Sequence, residues 1–518
     1  MSKTPSNAIH ELIQSLTKSE KRYFKVVSSR HTIGEENNYI KLFDYIDQQE
    51  AYDETALFLN FEGESFLNKF SITKNRLYES IMKALSAFHS SSSIEAQIHR
   101  LIHSAEILFK KSLYQHAKRQ LLSAEKLAKK NDRFGMLIEI SNLQKKLIET
   151  EGYSNITEEK LNEIKQQDAL YYSKLQYYAE LWNIKSKLFI DLNKKGKVRS
   201  DEEVESYKVL IDELQEASNI ETRSFDSEYL YYHINSAYYF AVNDLEKSLH
   251  YLLKNSSLLK KNKNRIKQEP NLYFSCLSNA IYIQSKLGNY REALILLKDL
   301  KDFPTTFSIK MNQDLEIKLF SSSLSIELTL LIHKGKFKEA IALEEEISTG
   351  FTLYKNNIAP LRKAYLNFKM AVAYFGLAEY TTSLKWINKI LNNHDVDSKE
   401  DLLSFTQILN VMVHLEMQHE ALLPYAIKST QRFLKSRNRT YKFESLFLKY
   451  MNKISKSENP FEKEDILEEI LTKIKALTKD KFEAEAFDYF DFESWIESKL
   501  KKESMADIRK KKYQLLLK

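Results

Sequence analysis

The sequence predicts an all-α fold: an α-solenoid of helical hairpins with helical caps at its N- and C-terminal ends. Three observations predict it. Nine Gly and six Pro in 518 residues leave few chain breakers, while Leu, Lys, Glu and Ile abound. A chain of this length exceeds what one compact core can organise, so several domains or a repeat array are expected. Finally, one corner recurs, in Lys286-Leu-Gly-Asn-Tyr-Arg-Glu-Ala293, in His333-Lys-Gly-Lys-Phe-Lys-Glu-Ala340 and, with Ala378 replacing glycine, in Leu377-Ala-Glu-Tyr-Thr-Thr-Ser383. Gly288 suits the left-handed residue that ends a helix, Tyr290 plugs the corner, and Ala293 lets the next helix lie close.

Residues 1–90 read as a first helical unit. Ala8 to Leu16 is amphipathic, Thr17-Lys-Ser-Glu20 is a capping-box pattern, and Tyr39, Leu42, Phe43 and Ile46 repeat at helical spacing. After the break at Gly63 a helix is expected from about Thr73 to Phe88, with Leu77, Ile81, Ala84 and Leu85 on one stripe. This ending has the outline of a helix-turn-helix whose Arg76, Ser80 and Lys83 share a polar face, which makes Arg76 and Lys83 nucleic-acid candidates. Charge argues against that role. The unit holds 8 Lys and 3 Arg against 9 Glu and 3 Asp, a net of −1, whereas phosphate binding needs a basic surface. Nucleic acid is therefore not expected as a partner, and the unit reads as the N-terminal cap.

From 94 to 455 the hairpins carry a repeat register. Anchoring on Ala117 brings Leu101, Ala105, Leu108, Tyr114, Leu121 and Ala124 into phase. Anchors at Ser248, Ala293, Ala340, Ser383 and, more weakly, Ala421 do the same for the following segments. This pattern resembles the tetratricopeptide repeat, with small residues at the close helix contacts and bulky ones between. It departs from that family in spacing, roughly 38 to 47 residues against about 34, and in Asn255, Ile347 and Ile390 where alanine is usual. Ser141 to Thr222 keeps helical periodicity without a recognisable corner and reads as degenerate repeats. Residues 456–518 read as a C-terminal helical cap, with one helix from Pro460 to about Leu477 and another opening at Asp491. Phe487, Tyr489, Phe490, Phe492 and Trp495 cluster there, as a residue set that closes an apolar repeat end.

Chemistry-bearing motifs are scarce. Glycine-rich phosphate loops are missing, and His99-Arg-Leu-Ile-His103 lacks the glutamate and third ligand of a zinc site. Cys276 and Glu344-Glu-Glu346 have no catalytic surroundings, so no enzyme, cofactor or metal is expected. The single cysteine, the polar start and the lack of a long apolar run lead to the expectation of a cytoplasmic protein without a membrane anchor. A formal charge of +7 against 149 charged residues (78 + 71) argues for no particular partner.

What the resemblance implies is binding along the first helices of the hairpins. Its groove positions fall on Phe109, Phe240, Tyr282, Phe368 and Phe375, giving an aromatic lining suited to an unidentified protein or peptide. The Lys/Asn pair that some family members use for a C-terminal carboxylate has no counterpart at those positions. Truncating Tyr282 or Phe375 is expected to weaken capture and spare stability if the groove is open. Early melting is expected if the chain's own terminal helices fill it. The alternative is a regulator resembling peptide-sensing bacterial transcription factors, with a nucleic-acid-binding N-terminal unit and a ligand-sensing or dimerising repeat region.

Overall fold

The computed structural model describes residues 7–29, 38–154, 156–195, 197–198, 201–216, 223–393, 400–437, 440–480 and 483–516. All regular elements among them are helical, so the protein is all-α and consistent with a helical-repeat fold. Two compact units divide at Leu175 and Gln176; the sequence boundaries near residues 90 and 455 fall inside them.

The first unit opens with α1 (Ala8–Ser15), α2 (Lys18–Ser29), α3 (Asn38–Gln48), α4 (Glu54–Asn60) and α5 (Phe70–Phe88). They close around Ile13, Leu42, Phe43, Leu57, Leu77 and Ile81, all fully buried. The expected capping box opens α2. Thr17 N–H donates to Glu20 Oε2 at 2.7 Å, and Glu20 N–H donates to Thr17 Oγ1 at 3.3 Å. Gly63 sits in a left-handed turn (φ +90), and α5 begins at Phe70, three residues before the expected start at Thr73. Next come α6 (Ile94–Lys110), α7 (Tyr114–Lys130), α8 (Phe134–Thr150) and the start of α9 (Glu158–Lys195). Ala117 and Ala124 are buried where α7 lies against α6, so small residues set that close approach.

The Ser141–Thr222 expectation is corrected here. The chain turns at Gly152 and Tyr153, both left-handed, and then runs as a single 38-residue helix, α9. No Gly or Pro interrupts Glu158–Lys195, so nothing local divides it into hairpins. Residues 217–222 of that stretch lie outside the described residues.

The second unit holds the rest of α9, then α10 (Asp201–Glu216), α11 (Phe225–Ala241), α12 (Leu245–Lys261), α13 (Lys263–Gln268), α14 (Pro270–Lys286) and α15 (Tyr290–Thr306). Then come α16 (Gln313–His333), α17 (Phe337–Ile341), α18 (Glu344–Tyr354), α19 (Pro360–Gly376), α20 (Tyr380–Leu391), α21 (Glu400–Glu416) and α22 (Leu423–Ser436). The last four are α23 (Lys442–Lys456), α24 (Pro460–Leu477), α25 (Phe492–Lys501) and α26 (Met505–Leu516). Helices pair with their sequence neighbours, as α11 with α12, α14 with α15 and α19 with α20. First helices also meet first helices: α14 packs on α16, α16 on α19 and α19 on α21.

One corner serves nearly all these hairpins. Leu113, Arg133, Asp244, Asn289, Lys336, Glu379 and His419 each donate a backbone N–H to the carbonyl five residues back, at 2.8–3.0 Å. The residue before each donor is left-handed: Ser112, Asp132, Asn243, Gly288, Gly335, Ala378 and Gln418. Only two of these are glycine.

The C-terminal aromatics are core. Phe490, Phe492 and Trp495 are buried, and Phe492 lies 4.7 Å from Phe443 and 5.0 Å from Phe447 between ring centres. Trp495 Nε1 donates to Glu416 at 2.7 Å. Helix α26 runs across the α16–α17 corner, where Arg509 pairs with Asp491 and donates to His333 Nδ1 at 2.7 Å. Gly335 makes that crossing fit, because a Cβ there would stand 2.6 Å from the Ala506 carbonyl oxygen.

Candidate functional site

Four first helices of the second unit turn one face each toward a shared cavity of about 750 Å³. The faces follow from helical spacing: His233, Ala237 and Phe240 on α11, Ser278, Tyr282 and Lys286 on α14. Ser325, Thr329 and His333 continue the wall on α16, and Arg362, Tyr365 and Lys369 on α19. Phe189 and Leu192 of α9 contribute at one side, and Asp488 and Tyr489 from the segment before α25 at another.

The apolar part of the wall is aromatic. Phe240 and Tyr282 meet edge to face at 5.9 Å, with the Lys197 ammonium 4.5 Å above the Phe240 ring. Tyr282 remains 41% exposed, which leaves its ring available. Phe368 is buried beneath the wall, with Tyr489 at 6.0 Å, and Tyr489 itself is stacked on Phe405 at 4.3 Å. Hence the segment that closes one side is pinned by aromatic packing. Asp488 adds an ion pair with Lys286.

The polar part is rich in hydroxyls and cations. Arg362 donates from Nη1 to Ser321 Oγ at 3.0 Å and Ser322 Oγ at 3.2 Å, so neutral hydroxyls hold its guanidinium. Lys369 is half-buried and lines the cavity. Burial alone lowers its pKa to about 8. Both cavity histidines are neutral near pH 7. His233 is lowered to about 4 by burial and by Lys185, and stacks on Phe189 at 5.3 Å. His333 is pushed well below its usual value by burial, then by Arg509, Lys369 and Lys286, with Asp491 opposing them. A guanidinium only donates, so His333 Nδ1 accepts and the ring proton sits on Nε2. Among the described residues the wall carries Lys197, Lys286, Arg362 and Lys369 against Asp401 and Asp488.

The structure thus brings Phe240, Tyr282 and Phe368 around one cavity. Phe375 is elsewhere: it is 2% exposed and lies under Phe490, with ring centres 5.2 Å apart. The expectation of an open aromatic face at Phe375 therefore does not hold, because the chain's own C-terminal segment covers it. Phe109 belongs to the first unit, half-buried against Tyr114 at 5.5 Å, and takes no part in the cavity. Sequence reasoning missed Arg362, Lys369, Asp488 and Tyr489. Helical spacing from Tyr365 offered a signal for Arg362 and Lys369, three residues before and four after it; none pointed to Asp488 and Tyr489.

The remaining candidates carry no assembled chemistry. Arg76 and Lys83 are exposed on α5, with exposed Glu79 between them on that face. His99 and His103 are exposed on α6. Burial pushes the Cys276 thiol up to about 12, and its Sγ donates to the Leu252 carbonyl at 3.2 Å. Among the described residues no group of three or more His, Cys, Asp or Glu is placed to hold a metal ion, and no helix is long and apolar enough to cross a membrane. No protein-family model matches the chain, and no curated protein matches it.

Proposed function

We propose that the chain is a non-enzymatic binding protein that takes a short peptide into the cavity of its second unit. On this reading α11 to α23 are tetratricopeptide-like repeats stacked as a solenoid, with α24–α26 as its C-terminal cap. In the first unit α1–α5 cap the repeat-like helices that follow, and the protein works in the bacterial cytoplasm. The observation that carries the reading is the cavity itself: successive first helices present one register face to about 750 Å³, within the range of ligand sites. Closure of one side by Asp488 and Tyr489 favours a short peptide over a folded protein.

Peptides released by acid from the purified chain and identified by mass spectrometry test it, together with a hexapeptide library assayed by thermal shift. Tyr282→Ala should weaken capture by about 2 kcal/mol, as for an aromatic at an interface centre. Its melting temperature should stay near that of the wild type, because the ring is 41% exposed. Recovery of no peptide together with no library binding sinks the reading.

The exposure of Arg76 and Lys83 keeps a second reading, a nucleic-acid-binding regulator, in view. The intervening Glu79 and the net charge of −1 over residues 1–90 weigh against it. No duplex binding is expected at physiological salt. Tight, salt-sensitive binding lost in Arg76→Ala plus Lys83→Ala would reverse the ranking.

A further inference from the structure

Lys369 is a cation on the cavity wall to which the fold gives no partner among the described residues. It is half-buried, it lines the cavity, and among the described residues no hydrogen bond or ion pair holds it. A partly desolvated ammonium gains most from a charge-assisted acceptor, and the cavity is the side from which one can be supplied. Its surroundings point to the same acceptor. Arg362 lies two turns away on the same face of α19, about 10 Å along the helix, and is held by the Ser321 and Ser322 hydroxyls, with Asp314 acting on it through space but no carboxylate in an ion pair with it among the described residues. On α16, which packs against α19, the Ser325 hydroxyl lines the same cavity and has no partner among the described residues, and the two carboxylates on the wall include Asp488, which Lys286 neutralises.

We propose that Lys369, with Arg362 and Ser325, binds an anionic oxygen group, a carboxylate or phosphate, on the ligand whose apolar part rests against Tyr282 and Tyr365. Charge-assisted hydrogen bonds of this kind are the strong ones, and an enclosed site screens them little. The inference deepens the peptide reading and rests on it for the nature of the ligand's body. The chemistry of the head group stands on Lys369 and its neighbours alone.

The test compares wild type with Lys369→Met, which keeps the apolar stem and removes the charge. The probes are a hexapeptide library with free C-terminal carboxylates, the same library amidated at the C-terminus and free of Asp and Glu, and inorganic phosphate. Thermal shift and titration calorimetry are the readouts. Wild type should bind the carboxylate library or phosphate about ten- to a hundredfold more tightly than the amidated library. Lys369→Met should lose that preference while melting no lower than wild type, since it removes a half-buried charge that no ion pair holds among the described residues. Equal binding of both libraries overturns the anion site and leaves the peptide reading standing. Phosphate binding alone, abolished by Lys369→Met, supports the anion site and removes the peptide. An anion preference unchanged in Lys369→Met, or no binding of any probe, overturns the proposal.

Discussion

Phe375→Ala lowers the stability of the second unit by about 3–5 kcal/mol, the usual cost of deleting a buried phenyl ring. Phe375 is 2% exposed and meets Tyr380 and Phe490 at 5.2 Å each. Its loss opens a void between α19 and the C-terminal segment, which cannot collapse freely because Phe492 and Trp495 are themselves anchored on Phe447. Urea unfolding followed by tryptophan fluorescence reads this directly, as Trp386 and Trp495 are both buried in the same core. Tyr282→Ala is the internal control: it is on the cavity wall, half open to solvent, and should leave the transition nearly in place. A Phe375→Ala variant that unfolds with the wild type would mean that Phe490 does not cover this ring in solution.

Gly335→Ala displaces helix α26. Gly335 holds φ +68, and its Cβ would lie 2.6 Å from the Ala506 oxygen and 2.9 Å from both Arg509 Cβ and Lys510 N. The first and last are backbone atoms, so no side-chain rotation relieves the overlap. The helix must move, and with it Arg509, which ties Asp491 to His333. Gly288→Ala separates strain from collision, because Gly288 has φ +78 but nothing within 4 Å of its Cβ. That variant should lose only the left-handed penalty, about 1–2 kcal/mol. Gly335→Ala should lose more and expose the lysine-rich α26 to trypsin in limited proteolysis. Equal stability and equal cleavage of the two variants would show that α26 does not seat on this corner.

Local chemistry determined much of the protein. The scarcity of breakers dictated an all-α chain, because nothing stops a helix between Glu158 and Lys195 or between Pro460 and Leu477. The Thr17–Glu20 box and the corners at Gly288, Gly335 and Ala378 are set by residues in contact within a turn, so they are legible without the fold. Helical spacing also put Phe240, Tyr282 and Phe368 on comparable faces. The corners at Asp132, Asn243 and Gln418 were less legible, since a non-glycine residue enters the left-handed region there only with the support of the bond that follows it. Phe375 and Tyr282 are both large aromatics at groove positions, and only the long-range return of Phe490 makes one core and leaves the other open. Lys369 looks like any helical lysine in sequence. Whether a charge has a partner depends on groups that approach through space, so its place on the cavity wall without an ion-pair partner among the described residues was decided by the tertiary structure alone.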